Sequence, residues 1–388
     1  MTHEPRILIS GASIAGPTLA YWLVRNGFRP TVVERSPELR PGGNGVDIRA
    51  DSVRIAERMG VLPRLRERAT DIRELTFVDA ADRRVAGMST RTFNADGDLE
   101  IMRGDLAQVL YEATADDVEY AFGDSIAELI QRPDAVEVTF DSDRQAEFDL
   151  VLGADGLHSR TRNLAVTPEA DALHHLGVYF ATARVDAELG RPHSVTLYNT
   201  PGKVAGVYRS GTHDTATAFF AFRASRTLEV DHRDQNAQKD LLRDYFDDRD
   251  WQVPALLDQA VADDGFYFDA VSQVRIPAWS NGRVALVGDA GYCATLLSGA
   301  GAALAIEGAH LLATELAAAA GDHRIAFRRY ERTLRPTVLR AQRSVRVSSA
   351  MLIPATGGHI RLRNQLTRLM VLQTLASRVY RPVTVRAA

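Results

Sequence analysis

Cysteine is nearly absent from this chain: Cys293 stands alone among 388 residues. A disulfide framework and a CxxC zinc site are both excluded, and a reducing cytoplasm is the expected compartment. Long apolar runs are missing too. None reaches the ~20 residues needed to cross a bilayer, so no membrane span is expected. The opening residues, Met1 to Arg6, lack the basic and apolar regions of a secretory leader. Neither sign of charge dominates, with 46 basic against 50 acidic side chains and a net charge of -4. That balance argues against a nucleic-acid partner. Neither a GxxxxGK(S/T) phosphate loop nor an HExxH pair occurs. The ten histidines are scattered. Their one adjacent pair, His174-His175, would point to opposite faces of a strand and chelate poorly. No metal site is expected, and no internal repeat or low-complexity tract is visible. What remains is 45% hydrophobic and 25% charged, an ordinary globular balance in a chain long enough for two or three lobes.

Two distant segments read as halves of one dinucleotide site. The first runs Arg6-Ile-Leu-Ile-Ser-Gly-Ala-Ser-Ile-Ala-Gly16. Helical spacing follows over 15–26 with Gly27 as its stop, then the strand Thr31 to Glu34. This order of strand, glycine turn, helix, strand and acid places a pyrophosphate on a helix N-terminus and a ribose hydroxyl on Glu34. The turn reads Gly11-x-Ser13-x-x-Gly16, so serine occupies the usual middle glycine. A nucleophile elbow, GxSxG, is a rival for Gly11-Ala-Ser13-Ile-Ala15, yet a hydrolase sheet needs several strands before its nucleophile. The second segment, Arg283 to Val287, is another buried strand, ending in Gly288-Asp289. A simple nicotinamide enzyme has no need of it. A large, tightly held dinucleotide with a reactive ring does, which points to flavin.

Between these halves lie further candidates. A strand over 148–152 runs into Gly153-Ala-Asp155-Gly156-Leu-His-Ser159-Arg160. Asp155 suits either a ribose hydroxyl or the start of a helix, and Ser159 with Arg160 suits phosphate. Ser298-Gly-Ala-Gly301 precedes an Ala-rich helix over 301–316. Its bare amides would stabilise negative charge on a reduced flavin, or serve only close packing. Residues 35–49 read as loop, 52–59 and 106–113 as helices, 74–88 as a hairpin and 136–140 as a strand. From about 173 to 274 the texture changes to consecutive strands at 178–184, 194–198, 204–208 and 215–222. An antiparallel sheet inserted between the two halves of a β-α-β site is the expected architecture. The tail from Arg324 to Arg386 is rich in arginine. With Leu362, Leu366, Met370 and Leu375 it reads as a membrane-surface helix, or as a helix packed on the domain with a solvated basic face.

Taken together, these motifs resemble the class A flavoprotein monooxygenases, single-component FAD hydroxylases related to para-hydroxybenzoate hydroxylase and the tetracycline-inactivating monooxygenases. The glycine turn with its acid, the DG motif at Asp155-Gly156 and the GD motif at Gly288-Asp289 occur in the family's order. A fourth marker, Met102-Arg103-Gly-Asp-Leu-Ala-Gln-Val-Leu110, looks like the family's arginine helix beside the flavin. The resemblance implies an α/β fold: a Rossmann-like FAD-binding domain at 1–172 and 276–345, an inserted antiparallel-sheet substrate domain at 173–275 and a C-terminal helical segment at 346–388. The hairpin at 73–101 is open to assignment to the substrate domain.

The resemblance also implies roles. Gly11, Ser13, Ile14, Ala15, Gly16, Glu34 and Arg35 would hold the adenosine and pyrophosphate. Arg103 would lie by the pyrophosphate and ribityl chain, and Asp155 near FAD and NAD(P)H. Asp289 would hold the ribityl or pyrophosphate end, with Gly299, Gly301 and Ala302 at the pyrimidine edge. The loop 43–49 would pass beside the ring. NAD(P)H would act as transient co-substrate, and O2 would add to form a C4a-hydroperoxyflavin that hydroxylates an aromatic or polycyclic small molecule. Phe180, Tyr198, Tyr208, Phe220 and Phe222 are candidate walls for that substrate. Strand alternation puts Phe220 and Phe222 on one face and Phe219 on the other. No residue stands out as a general base, and flavin chemistry needs none. There are departures: the usual Gly-Asp-Ala-Ala-His is Gly288-Asp-Ala-Gly-Tyr-Cys293, Thr295 and Leu296 replace prolines, and Glu307 replaces an aspartate. A flavin reductase or dehydrogenase without oxygen transfer, and a non-catalytic flavin- or ligand-binding protein, stay open as alternatives. Oligomeric state is not legible.

Overall fold

The computed structural model describes residues 4–379 apart from 41, 91–96, 229, 232–233 and 248, with no side chains described at 346 and 370–379. Contacts divide the chain into two compact units. The first comprises Met1–Thr70, Ala95–Leu176 and Val271–Ser348. The second comprises Asp71–Asn94, Gly177–Ala270 and the chain from Ser349. No helix among the described residues is long and apolar enough to cross a membrane.

The first unit grows from the strand Arg6–Ser10. Ile7, Leu8 and Ile9 are fully buried, as a continuous β-branched and apolar run in a parallel sheet should be. Leu150–Gly153 pairs with it in parallel on one side and Arg29–Glu34 on the other. Val284–Leu286 and Glu119–Phe122 extend the sheet outward, and Ser280–Asn281 closes one edge antiparallel. The chain leaves the first strand towards one side and later returns on the other. That reversal opens a crevice at the strand's C-terminal end, where open α/β sheets bind ligands. The helix Ala15–Arg25 buries Leu19 and Leu23 completely, worth roughly 1.5–3 kcal/mol each. It packs against the helix Gly301–Ala318, whose small residues permit close approach. Gly27, at φ 79°, ends the first helix in the left-handed region.

Two expectations need correction here. The stretch 148–152 is two strands. Gln145–Phe148 belongs to a three-stranded antiparallel sheet, whereas Leu150–Gly153 belongs to the parallel one. Between them Asp149 accepts the Arg6 amide at 2.7 Å and redirects the chain. The loop expected over 35–49 contains a strand, Gly45–Ile48, paired antiparallel with Leu99–Met102. Its partner lies some fifty residues on, too far for local pattern to reveal.

The second unit is built on a seven-stranded sheet. Its spatial order is Tyr267–Val274, Leu173–Asp186, Thr215–Arg223, Lys203–Arg209, Ser194–Thr200, Glu74–Val78 and Arg84–Ser89. Ser194–Thr200 and Glu74–Val78 run parallel, so the sheet is mixed where a fully antiparallel one was expected. Helices Gln235–Tyr245 and Val253–Ala262 supply residues to the core on one face. Phe220 and Phe222 do share a face, and that face is this closed core. Both are fully buried; Phe222 stacks on Tyr245 with ring centres 3.8 Å apart, and Phe220 meets Phe246 edge-on at 5.0 Å. Tyr198 joins them in the same core, its hydroxyl 3.3 Å from Asp250. The register puts Phe180 and Tyr208 on the opposite face. The five aromatics therefore form no single wall. Alternation fixes which residues share a face but not which face the helices cover. Phe222→Ala is expected to cost about 3–5 kcal/mol in stability, read as a lower urea midpoint. A near-neutral result would show that this face is not core.

Candidate cofactor site

The glycine turn is held by close backbone packing. Gly11 lies at φ 109°, and a Cβ there would stand 2.5 Å from the Ala154 carbonyl oxygen. A Cβ on Gly16 would collide with the carbonyl oxygen of Gly11. The Gly11 amide donates to Val33 O and the Ala154 amide to Ser10 O, each at 2.7 Å. These contacts lock the first strand, its two neighbours and the helix start into one piece. Glu34 ends the neighbouring strand, and its carboxylate accepts the amides of Ala12 and Ser36, both at 2.9 Å. Arg35 beside it is exposed. Ser13 is used rather than merely tolerated: its Oγ accepts from Arg103 Nη2 at 2.8 Å. Arg103 opens its helix, three residues earlier than expected, and its amide donates to Asn44 O at 3.0 Å.

Asp155 is committed to its own helix. Its carboxylate accepts from Ser159 Oγ at 2.5 Å and from the amide and hydroxyl of Thr161 at 2.9 Å. Ser159 in turn caps the helix by accepting the Arg162 amide. Arg160 makes a two-pronged pair with Asp141, at 2.9 and 2.8 Å. Ser159 and Arg160, expected to face phosphate, are thus taken up structurally. Sequence reasoning missed Arg162. This fully buried side chain donates to Leu157 O at 2.8 Å and Ala290 O at 3.1 Å, tying the DG loop to the GD loop. Burial depresses its pKa, and Glu169 and Asp155 offset part of that cost. An arginine in a short polar helix gives no sequence signal of burial.

The GD segment packs onto the same turn. Gly288 lies at φ 66°, and a Cβ there would meet Ala15 Cβ at 3.2 Å. Asp289 is exposed as a residue, yet protein crowds its carboxyl. That crowding raises its pKa, and the Cys293 thiol and the Arg103 cation pull the other way. Tyr292, where the family pattern has histidine, is buried against Gly308, with its hydroxyl 3.0 Å from that of Tyr330. It is a packing residue here. Thr295 adopts φ 90°, an outlier for a β-branched residue. It is held by Leu297 N donating to its Oγ1 and by Ser298 Oγ donating to its carbonyl. Gly299 follows at φ 62°, where a Cβ would lie 3.5 Å from Asp47 Oδ2. Gly301 and Ala302 then begin the 18-residue helix, and a Cβ on Gly301 would meet nothing within 4 Å.

The structure thus gathers Gly11, Ser13, Ile14, Ala15, Gly16, Glu34, Arg103 and Asp289 around one turn. Phosphate could meet bare amides and a guanidinium, and sugar hydroxyls could meet two carboxylates. The residues fit an FAD. The comparisons agree. Residues 4–345 match the FAD binding domain family. The chain belongs to that family, and within it to the class A flavoprotein monooxygenases. It is an FAD-dependent monooxygenase. A flavin-dependent monooxygenase of Legionella longbeachae is 38% identical over 356 residues, 91% of each chain. An uncharacterized protein of Mycobacterium tuberculosis is 42% identical over 329 residues, 84% of this chain and 88% of its own. The crystal structure of tetracycline destructase Tet(51) superposes with a TM-score of 0.84 at 34% identity, covering 100% of both chains.

Two outcomes follow for FAD and stability. Arg103→Ala should weaken FAD binding by about one to two decades, the loss of a charge-assisted contact, measured by titrating apoprotein. Asp289→Asn should weaken FAD binding too, yet stabilise the cofactor-free fold. A carboxyl whose folded pKa is raised destabilises progressively as pH rises above its ordinary range. The cofactor-free variant should therefore melt higher than the parent at neutral pH and no higher in strong acid. Equal melting at neutral pH would contradict the crowding of Asp289.

Proposed function

We propose that this monooxygenase draws electrons from NAD(P)H and oxygenates an aromatic or polycyclic small molecule, of which tetracycline is the first to test. The observation that carries the substrate class is the full-length likeness to tetracycline destructase Tet(51), at 34% identity. Bound FAD would supply electron transfer and oxygen activation. The chain's part is to hold and polarise it. Glu34 would take the adenosine ribose. The amides of residues 13–16 and the Arg103 guanidinium would take the pyrophosphate, and Asp289 the ribityl hydroxyls. The helix start at Gly301 and Ala302 would face the pyrimidine edge and favour negative charge there. Ser13 would orient Arg103 through its hydroxyl. Asp155 would act at one remove, by fixing the helix that carries Arg162 and hence the GD loop.

The test is turnover under labelled oxygen. Holoenzyme supplied with NADH or NADPH, tetracycline and 18O2 should consume reductant faster with substrate present and release product carrying one labelled oxygen atom. Consumption of NAD(P)H with transfer to an organic acceptor, and no label in any product, would favour the reductase reading instead.

A further inference from the structure

Arg363 is a buried charge with its bonds made. Its guanidinium donates to Met351 O at 3.0 Å and Asn199 Oδ1 at 2.9 Å, which packs the helix Gly357–Val379 on its own unit. The side chains of Met370 and Leu375, read from sequence with that helix, and all of Arg386 lie outside what is described. Asp47, in the first unit, is the opposite case. It stands in the strand Gly45–Ile48 with its side chain 21% exposed. Its Oδ2 accepts from Arg49 Nη2 at 2.7 Å, and its Oδ1 has no hydrogen-bond partner among the described residues. Burial raises its pKa, Arg49 pulls the other way, and Asp98 adds to the rise. A partly desolvated carboxylate oxygen without a donor is costly to the fold.

Its surroundings say which donor would fit. Glu34 ends the strand on one side of Arg6–Ser10, and Asp289 follows the strand Val284–Leu286, which lies on the other side. A dinucleotide anchored at Glu34 and laid across the glycine turn therefore carries its ring to the Asp289 side. There the helix Gly301–Ala318 opens with amides that no helical carbonyl can reach. Asp47 Oδ2 lies 3.5 Å from where a Cβ on Gly299 would stand, so the acid borders that helix start. The pyrimidine edge of a flavin presents acceptors at N1 and the C2 and C4 carbonyls, and one donor, N3–H. Helix-start amides match the acceptors only, and the donor needs an oxygen beside them. We propose that Asp47 accepts the N3–H of bound FAD, and that its charge there disfavours the anionic reduced flavin. The assignment rests on the reading above, in which the helix start at Gly301 and Ala302 faces the pyrimidine edge.

Titration of apoprotein with FAD and with 3-methyl-FAD, in which a methyl group replaces the N3 hydrogen, tests this. The parent should bind 3-methyl-FAD more weakly by about tenfold or more, the loss of a charge-assisted contact. Asp47→Ala should bind the two cofactors within about twofold of each other, which isolates the pairwise contact. Asp47→Asn keeps an acceptor and should keep the discrimination. It removes the charge, so the midpoint potential of its bound FAD should rise, by ~30 mV if reduced FAD gains about tenfold in affinity over oxidised. A packing role for Asp47 would weaken both cofactors alike and leave the potential unmoved. Discrimination that survives Asp47→Ala, or an unchanged potential in Asp47→Asn, overturns the assignment of Asp47 alone. A parent that binds both cofactors alike overturns it too, together with the placing of the pyrimidine edge beside Gly301.

Discussion

The site depends on one close approach, that of the Gly11 backbone to the carbonyl of Ala154. Neither residue carries a reactive group. Their contact sets the distance between the first strand's glycine turn and the loop that leaves the neighbouring strand. Gly16 repeats the constraint one turn later, where the helix backbone rests on the Gly11 carbonyl. With both contacts made, amides at the helix start are left bare, which an anionic cofactor needs. Ser13 can stand at the middle position because its side chain turns toward Arg103 and does not contribute to this packing.

Charge is then arranged around the turn by residues that work in series. Arg103 reaches both Ser13 and the neighbourhood of Asp289, so one cation links the N-terminal turn to the GD segment. Arg162 does the same for the loops behind it, with two backbone carbonyls as partners. A buried arginine without nearby acids is costly. Glu169, 3.7 Å away, and Asp155 reduce that cost. The DG and GD motifs are therefore one mechanical unit, although more than a hundred residues separate them in sequence.

Much of this was legible in the sequence, and the reasons for the misses are physical. The first strand was read to the residue because an apolar run followed by a glycine turn has few other solutions. Glu34 and Asp289 stand out in the sequence because an acid is informative at the end of a parallel strand, whereas Arg103 stands out only through the family resemblance. The fate of Asp155 was undecided, since a capping aspartate and a ribose-binding one look alike until their partners are known. Arg162 was missed because burial of a cation is set by tertiary neighbours. Phe220 and Phe222 were paired correctly by alternation but assigned to a substrate wall. Which face two helices cover is decided by residues 235–262, and no local pattern reports it. The parallel pairing of Glu74–Val78 with Ser194–Thr200 is likewise a long-range fact.

The account's central claim is that cofactor binding rests on the packing of Gly11 against Ala154, and titration of Gly11→Ala apoprotein with FAD tests it directly. An added methyl must push the Ala154 carbonyl away, and the positive φ at this position is costly for alanine. FAD affinity should fall by more than about tenfold, or ~1.4 kcal/mol, in a variant that still unfolds cooperatively. A folded Gly11→Ala variant that binds FAD as tightly as the parent would contradict the account.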